Sequence, residues 1–471
     1  MRLLRRCTLV AVPLALIVLA CGFDGGITRV AEISFVVTAA PDYELLAALH
    51  GAERFPKGSR LLIDENGDAE PLLPDFAATA DANVSFDAKT VLFAGKKAAG
   101  DPWQIWELTL ADRSVRTVIA GPADAIRPFY LPGRRLVFAR RTVKGSFQVA
   151  AADLDGKNEL PLTYMPANAI PTDVLADGRI LFEAGFPLGL GAKPELFLVY
   201  SDGSGVESYR CDHGPVTGAG RWGGHQLASG DVVFTHGATL ARFTSPLANE
   251  ARIPAPAGEY DGSFAETSMG DWLLSMRTSG AGRYAVKLWK PRIEADPDGK
   301  QPAMTTVLSM GGMHLVEPVL IAPRNRPHQH PSALHDWSYA NLLALDSRQT
   351  REGVLKAMPK QLRLESMDGA GHAVRVGTAP IEEDGSFFVK APADQPIRFT
   401  LLDDKGTTIR QEHGWFWIRR GEQRICVGCH TGPERAAENH VPAVLLRSTT
   451  PTDLSVINMP DNARPNPQGI R

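Results

Sequence analysis

One apolar pattern recurs along the first two thirds of the chain and limits the folds that it can adopt. Four runs of β-type residues each follow a turn signal and each end in Phe: residues 90–93, 135–138, 179–182 and 231–234. Their Phe residues are 45, 44 and 52 positions apart, and residues 271–274 fit a fifth unit. A spacing of about 44 residues is the length of one four-stranded blade of a β-propeller.

The repeat predicts an all-β fold with a β-propeller over residues 21–334. One blade cannot bury both of its faces, so several must pack around an axis, and we expect six or seven. We expect a strand near residues 59–63 to close the ring by pairing with residues near 314–322. The 44 Gly and 35 Pro residues suit a protein with many turns. An irregular all-β sandwich stays open as an alternative, because the later units are less regular.

Residues 335–419 are predicted to form a separate small domain that resembles a β-sandwich. Four segments rich in β-type residues suit its strands: 341–345, 361–364, 386–389 and 396–402. Asp384-Gly385 and Lys405-Gly406 are hairpin signals between them. This domain leads directly into a Cys-containing segment and tail at residues 420–471.

That segment contains Cys426-Val427-Gly428-Cys429-His430, which has the Cys-x-x-Cys-His spacing of covalent c-type haem attachment. Thiols one helical turn apart lie on the same face and can add to the two haem vinyl groups, and the adjacent imidazole can ligate the iron. A redox dithiol is typical of a βαβ unit, and a zinc site would need further Cys or His at ligand spacing. We therefore predict one covalent haem c bound by Cys426, Cys429 and His430.

The second axial ligand of the iron stays open. His430 is the expected proximal ligand. His440, ten residues further on, and His413, before an aromatic run, are candidate second ligands, and Met459 in the tail is another. A five-coordinate iron that binds small molecules is the alternative to all three.

The N-terminus resembles a bacterial lipoprotein signal. Three Arg residues among the first six positions precede an apolar stretch at residues 9–19, which is too short to span a bilayer comfortably. We predict that residues 1–20 are a signal peptide and that Cys21 is lipidated; an ordinary secretory signal cut near Ala20 is the alternative. Haem c is attached outside the bacterial cytoplasm, so we expect a protein of the periplasm or cell envelope, anchored to a membrane through the lipid on Cys21.

The remaining Cys residues argue against a disulfide framework, and the net charge argues against one class of partner. Of the five Cys, Cys7 would leave with the signal peptide, and only Cys211 would remain besides the lipid and haem residues. A disulfide framework is therefore not expected. The formal net charge of −3 argues against a nucleic acid as partner.

A series of motifs around the Cys pair is similar to the middle domain of the hydrazine synthase alpha subunit and its relatives. The motifs occur in the family's order: EDGSF at 383–387, PAD at 392–394, GEQR at 421–424 and CVGCH at 426–430. The resemblance covers about a third of the chain, from residue 315 to 455. It implies a β-propeller followed by a haem-bearing middle domain.

Two departures from the family bear on activity. The chain has a single Cys-x-x-Cys-His and ends at Arg471, so we expect no second, C-terminal haem domain. In the family a Tyr just after the motif can ligate the haem iron, whereas residues 431–440 contain no Tyr and the corresponding turn offers Glu434. Hydrazine synthesis is therefore not expected.

The resemblance also implies that the His of the haem motif can serve a metal facing the propeller. Cys211 and His213, on a predicted loop between blades, are candidates to join His430 in a zinc site. A buried, unligated Cys beside a loop His is the alternative.

Three functions are compatible with this sequence. The first is an exported monohaem c-type cytochrome-like protein in electron transfer or a periplasmic redox complex. The second is a haem enzyme, an oxidoreductase, acting on a small nitrogen or oxygen compound. The third is a propeller scaffold or binding protein with a structural haem.

Overall fold

The computed structural model describes residues 33–65, 67–186, 193–209, 220–278, 282–291, 304–349, 355, 357–412, 414–427 and 440–456. In this part of the chain no helix is both long enough and apolar enough to cross a membrane.

The chain up to Leu320 consists of strands, with a short 3-10 helix at Ala47–His50. In chain order the strands are β1 (Ser34–Ala40), β2 (Arg60–Glu65), β3 (Asp68–Pro71), β4 (Ala78–Val84), β5 (Thr90–Lys96), β6 (Gln104–Thr109), β7 (Val115–Ile119), β8 (Ala125–Leu131), β9 (Arg135–Arg141), β10 (Phe147–Asp153), β11 (Leu160–Pro161), β12 (Ala169–Val174), β13 (Ile180–Phe186), β14 (Lys193–Val199), β15 (Glu207–Ser208), β16 (Arg221–Gln226), β17 (Val232–His236), β18 (Thr239–Phe243), β19 (Ala251–Arg252), β20 (Glu259–Glu266), β21 (Trp272–Arg277), β22 (Ala285–Trp289), β23 (Met304–Leu308) and β24 (His314–Leu320).

Within the described residues these strands form six antiparallel sheets of four strands. The first blade has the order β24-β1-β2-β3, and the second to sixth blades follow the chain, from β4–β7 to β20–β23. The innermost strands β4, β8, β12, β16, β20 and β24 each contact the next, and β24 contacts β4 again. The ring is closed by six blades, so the chain contains a six-bladed β-propeller. The all-β prediction is confirmed, and the sandwich alternative for this region is wrong.

The recurring apolar runs are the second strands of the blades, β5, β9, β13, β17 and β21. Such a strand has a hydrogen-bonded neighbour on each side and a neighbouring blade against each face. The four Phe residues of the repeat are accordingly fully buried: Phe93, Phe138, Phe182 and Phe234. Burial on both faces explains why these strands are continuous apolar runs rather than alternating ones.

The last strand of the propeller pairs with the first and closes the ring. β24 lies antiparallel to β1, with Phe35 opposite Leu320 and Ala40 opposite His314. The expected partner of this closure was wrong. Residues 59–63 fall largely in β2. The strand β1, which precedes β2 in the chain, pairs with β24 along one edge and with β2 along the other.

Beyond a linker, the chain forms a small domain of eight strands and one short helix within the described residues. They are β25 (Tyr339–Ala344), β26 (Gln361–Met367), β27 (Ala373–Pro380), β28 (Phe387–Pro392), β29 (Ile397–Leu402), β30 (Thr408–Gln411), β31 (Gln423–Cys426), α1 (Ala443–Arg447) and β32 (Thr452–Asp453).

The strands of the small domain form two four-stranded sheets around one apolar core. Their orders are β31-β25-β28-β32 and β27-β26-β29-β30. The inward-facing residues alternate along each strand, as with Leu342 on β25, Leu364 on β26 and Val389 on β28, all fully buried. Because β31 and β32 belong to the first sheet, Gln423–Cys426 and Thr452–Asp453 are part of this domain.

The small domain packs on the third and fourth blades through Trp417. Its side chain is 1% exposed and lies in one apolar cluster with propeller residues such as Leu162. Trp417 Nε1 donates to the carbonyl of Gly203 at 3.2 Å, in the turn between β14 and β15. Gly203 has φ +84°, and a Cβ there would lie 2.8 Å from Arg419 Cδ, so the close approach of the two domains requires glycine.

Candidate functional site

The first Cys of the haem motif is held at the end of a core strand. β31 runs parallel to β25, with Cys426 opposite Ala344, and the N–H of Leu345 donates to the Cys426 carbonyl at 2.9 Å. Side chains alternate along β31: Ile425 is 65% exposed, whereas Cys426 is half-buried and packs against the core of the small domain. The backbone that carries Cys426 is therefore fixed by the sheet.

Of the other residues predicted to serve the haem or zinc, the structure describes His440. The remaining ones lie outside the described residues: Cys429, His430, His413, Met459, Cys211 and His213, as does the predicted lipidation residue Cys21. Their roles stay predictions. Among the described residues, no group of three or more His, Cys, Asp or Glu side chains is arranged to hold a metal ion.

The residues from His440 onward are held by the turn that contains Asp384 and Ser386. Asp384 Oδ2 accepts from the N–H of Ala443 at 2.7 Å, and Ser386 Oγ accepts from the N–H of Val444 at 3.0 Å. These are the first residues of α1, whose N–H groups have no partner inside the helix. His440 Nε2 lies 3.2 Å from the same Asp384 oxygen. The EDGSF motif thus anchors the segment that follows the haem motif.

The geometry of that turn explains its sequence. Gly385 has φ +83°, and a Cβ on it would lie 2.3 Å from Asp346 Oδ1. Asp346 is buried and accepts from the N–H of Arg348 at 2.9 Å, so it has little room to move. The turn follows β27 and leads into Phe387, which is buried in the core.

Asp384 is ionised at neutral pH. Burial alone would raise the pKa of its carboxyl, but hydrogen bonds from Ser386, Ala443 and His440 outweigh burial and lower the pKa to about 2. A carboxylate that accepts several N–H and O–H groups is stabilised in its charged form. The contact with His440 therefore places a negative charge beside the imidazole.

The described residues on either side of the motif segment are held at the same end of one sheet. Cys426 is opposite Ala344, and Ala344 is opposite Phe387, three residues after Asp384. Neighbouring strands are about 4.8 Å apart, so Cys426 and Phe387 are separated by about 10 Å across the sheet. Cys426 and the Asp384 turn thus lie at the same end of this sheet.

Exposed apolar side chains flank this edge in the sequence. Four of the nine large hydrophobic residues that are exposed in the described part of the chain lie between residues 425 and 456. They are Ile425, Val441, Leu446 and Val456, each 63–75% exposed. Exposed apolar residues are typical of a ligand or partner site where they form a contiguous patch. The donor groups that the described residues offer here are the half-buried thiol of Cys426 and the imidazole of His440, which suit a covalently attached haem.

His440 is compatible with one mode of iron ligation and not with another. A ligating imidazole commonly directs its second ring nitrogen to a carboxylate, which fixes the ring. The Asp384 contact uses Nε2, so ligation through Nδ1 would keep it and ligation through Nε2 would break it. The sequence singled out His440 but gave Asp384 no role as its partner; the only signal was the position of Asp384 in a hairpin turn.

Comparison with known proteins gives the family of this domain. Residues 347–431 match the family described as the hydrazine synthase alpha subunit middle domain. Hydrazine synthase subunit alpha of Kuenenia stuttgartiensis is 33% identical over 92 residues, which are 19% of this chain and 11% of the relative. The sequence match thus spans about a ninth of the relative's length.

The fold is shared over a longer part of the chain. The solved structure of Kuenenia stuttgartiensis hydrazine synthase superposes with a TM-score of 0.74 and 16% identity, over 88% of this chain and 71% of that chain. At this identity the similarity concerns the fold, a propeller followed by a middle domain. The predicted resemblance is confirmed.

Proposed function

We propose that this chain is an exported monohaem c-type cytochrome-like protein that works in a redox complex of the bacterial cell envelope. The observation that carries the proposal is Cys426, half-buried at the end of a core strand, with the chain fixed again at Asp384 on the same edge of the sheet. A c-type haem needs its thioethers on a rigid element, because the covalent links also orient the ring.

The residues have distinct roles in this proposal. Cys426 and Cys429 form the thioethers, and His430 binds the iron on the proximal side. His440, oriented by Asp384, and His413 are the candidate second ligands. When bound, the haem supplies reversible one-electron transfer at iron. A zinc site of Cys211, His213 and His430 stays a prediction.

The proposed partner is another redox protein of the same complex. The relative that matches the middle domain is named as a subunit, and the shared fold supports a similar role here. The exposed side chains of Ile425, Val441 and Leu446 would be covered by the haem or by that partner. Export and a lipid on Cys21 belong to the same proposal.

An enzyme acting on a small nitrogen or oxygen compound is the second candidate. It is favoured by the name of the relative, a synthase, and by the family of residues 347–431. It requires an iron with one open position, so the two candidates differ in axial ligation.

Absorption spectra of the full chain, matured with the c-haem machinery, test both candidates. We expect haem that stays bound after denaturation, lost when Cys426 and Cys429 are both replaced by Ala and retained in the control Cys211→Ala. A low-spin reduced spectrum that carbon monoxide does not change indicates electron transfer. A high-spin spectrum that shifts with carbon monoxide indicates catalysis. Covalent haem that persists in the double variant would contradict the attachment itself.

A further inference from the structure

A second cluster of charged residues lies on the propeller axis, far in sequence from the haem motif. It contains four carboxylates and two guanidinium groups: Asp81 (β4), Glu183 (β13), Asp261 (β20), Glu317 (β24), Arg54 (the loop between β1 and β2) and Arg127 (β8). All four acids and Arg54 are buried, and the Arg127 side chain is 16% exposed. None of them contacts the small domain through a described hydrogen bond.

The two cations serve only two of the four acids. Arg54 forms ion pairs with both Asp81 and Glu317. Arg127 Nη2 lies 2.9 Å from Glu317 Oε1, and Arg127 Nε lies 3.5 Å from Asp81 Oδ1. No described cation pairs with Asp261 or Glu183. An ionised carboxylate that is buried without a cation is strongly unfavourable.

Asp261 instead accepts hydrogen bonds from backbone groups, and one of them belongs to the strand that closes the ring. Its Oδ1 accepts from the N–H of Ser263 at 2.9 Å, and its Oδ2 accepts from the N–H of Glu317 at 2.7 Å. Glu317 has φ +58° at a bulge of β24, where the register with β1 shifts between Val36 and Thr38. Asp261 thus links the sixth blade to the last strand of the first.

Charged and phenolic groups from several elements interact with Asp261. Glu317 on β24 contributes a like charge, and Arg127 on β8 contributes an opposite one. Tyr43 of the β1–β2 loop and Tyr284 before β22 also face it, since Asp261 helps to raise the pKa of both phenols, mainly raised by burial.

Other charged or titratable neighbours are engaged elsewhere. Arg54 of the β1–β2 loop pairs with Asp81 and Glu317 as described. On β20 itself, Glu259 pairs with Arg277 of β21 at 2.5 Å. His225 on β16 packs edge-on against Phe264 of β20, and burial lowers its pKa. On β17 and β18, which also pack on β20, His236 pairs with Glu250 and Arg242 pairs with Asp231.

Glu317 provides an independent sign of an unbalanced site. Both guanidinium groups contact its Oε1, whereas its Oε2 is buried and has no hydrogen-bond partner among the described residues. The Glu317 side chain is 6% exposed. A second negative charge on Asp261 would therefore face a carboxylate whose own second oxygen is unsatisfied.

We propose that Asp261 and Glu317 form a proton-dependent latch at the seam where β24 closes the propeller ring. With a proton on Asp261, the two guanidinium groups balance the carboxylates of Asp81 and Glu317, and the link to β24 is stable. When that proton leaves to solvent, the new charge repels Glu317 and the seam loosens. The reverse step restores both the proton and the contact.

The pH range follows from the pKa. Burial, followed by repulsion from Glu317, raises the pKa of Asp261 to about 7 despite the N–H donors of Glu317 and Ser263. The native state therefore holds a proton that the unfolded chain releases near the ordinary carboxyl pKa of about 4. The contribution of the latch to the free energy of unfolding is complete below about pH 4 and decreases as the pH rises to about 7.

Hydrogen exchange of the full, haem-loaded chain tests the latch. After correction for intrinsic rates, we expect exchange of β24 and of the β1–β2 loop to increase at least threefold from pH 6 to pH 8 in the wild type. In Asp261→Asn this increase should be absent, because an amide does not ionise. An Asn at position 261 can keep the hydrogen bond to β24, since Asn83 on β4 accepts in the same way from the N–H of Tyr130 on β8, at 3.1 Å.

Asp173→Asn is the matched control. Asp173 Oδ2 accepts from the N–H of Gln226 on the next blade at 2.8 Å, but at a distance from the closing strand. This variant should keep the wild-type pH response of β24. A wild-type exchange rate of β24 that is independent of pH overturns the proposal, whether or not Asp261→Asn folds. An equal response in wild type and Asp261→Asn overturns it as well.

Discussion

Replacing Asp384 by Asn tests how the segment after the haem motif is held. The carboxylate accepts from the N–H groups of Ala443 (2.7 Å) and Ser386 (2.9 Å) and contacts His440. Asn is nearly the same size but carries one acceptor oxygen and no charge. We therefore expect the start of α1 to loosen while the core of the domain stays folded.

The magnitude follows from the pKa of Asp384. A carboxyl whose pKa falls from about 3.9 in the unfolded chain to about 2 in the native state contributes about 2.5 kcal/mol at neutral pH. A fifth of its side-chain surface is exposed, and solvent screening reduces the expected loss to about 1–2 kcal/mol. Because the native pKa is the lower one, this contribution is present above about pH 4 and is lost as pH falls toward 2.

Urea unfolding of the full chain between pH 3 and pH 7 measures this loss. The difference between wild type and Asp384→Asn should be largest at pH 7 and about half as large at pH 3. Exchange of the Ala443 and Val444 amides should rise in the variant at pH 7. Asp403→Asn is the control, since Asp403 accepts from its own turn at Lys405 and Thr407 and does not contact α1.

Two results would refute this account of Asp384. One is a variant that unfolds like the wild type at pH 7. The other is a loss of stability that does not change between pH 7 and pH 3, which would show that the charge of Asp384 has no part in it.

Two further pairs of substitutions test the packing of the small domain. The first compares the cost of a close contact with that of a strained backbone alone, and the second compares a buried Trp with a half-buried one. Gly385→Ala should cost about 2–4 kcal/mol, because its Cβ would meet Asp346, whereas Gly406→Ala, with φ +80° and open space, should cost about 1 kcal/mol; thermal unfolding compares them. Trp417→Ala should cost about 3–5 kcal/mol and speed proteolysis between the domains, while the half-buried Trp415→Ala should cost about 1 kcal/mol. Equal costs within either pair would contradict the reasoning.

The propeller was predictable because its strongest signal is local and repeated. A second strand that is buried on both faces must be continuously apolar, so Phe93 and Phe138 recur with the blade period whatever the rest of the blade contains. The ring closure was harder, because it depends on pairing between β1 and β24, about 280 residues apart in the chain. No local sequence pattern indicates whether β1 or β2 pairs with β24.

The candidate site residues that the sequence could name lie in one segment. Cys426 and His440 were named from their spacing, whereas the contact of Asp384 with His440 and Ala443 could not be predicted, because these partners are more than fifty residues away. The axial cluster left a weaker signal. Arg127 and Glu317 are charged residues inside apolar strands, each followed by Pro, and a charge in such a strand requires a buried partner.

In the proposed haem site, the small domain holds Cys426 and His440 by separate interactions. Cys426 is fixed by pairing of β31 with β25, which does not involve Asp384. His440 is fixed by Asp384, which is ionised throughout the neutral range. A loss of Asp384 should therefore leave the thioethers intact and alter the iron spectrum only if His440 is a ligand. The Asp384→Asn variant, which measures how firmly the start of α1 is held, therefore also tests whether His440 is an iron ligand.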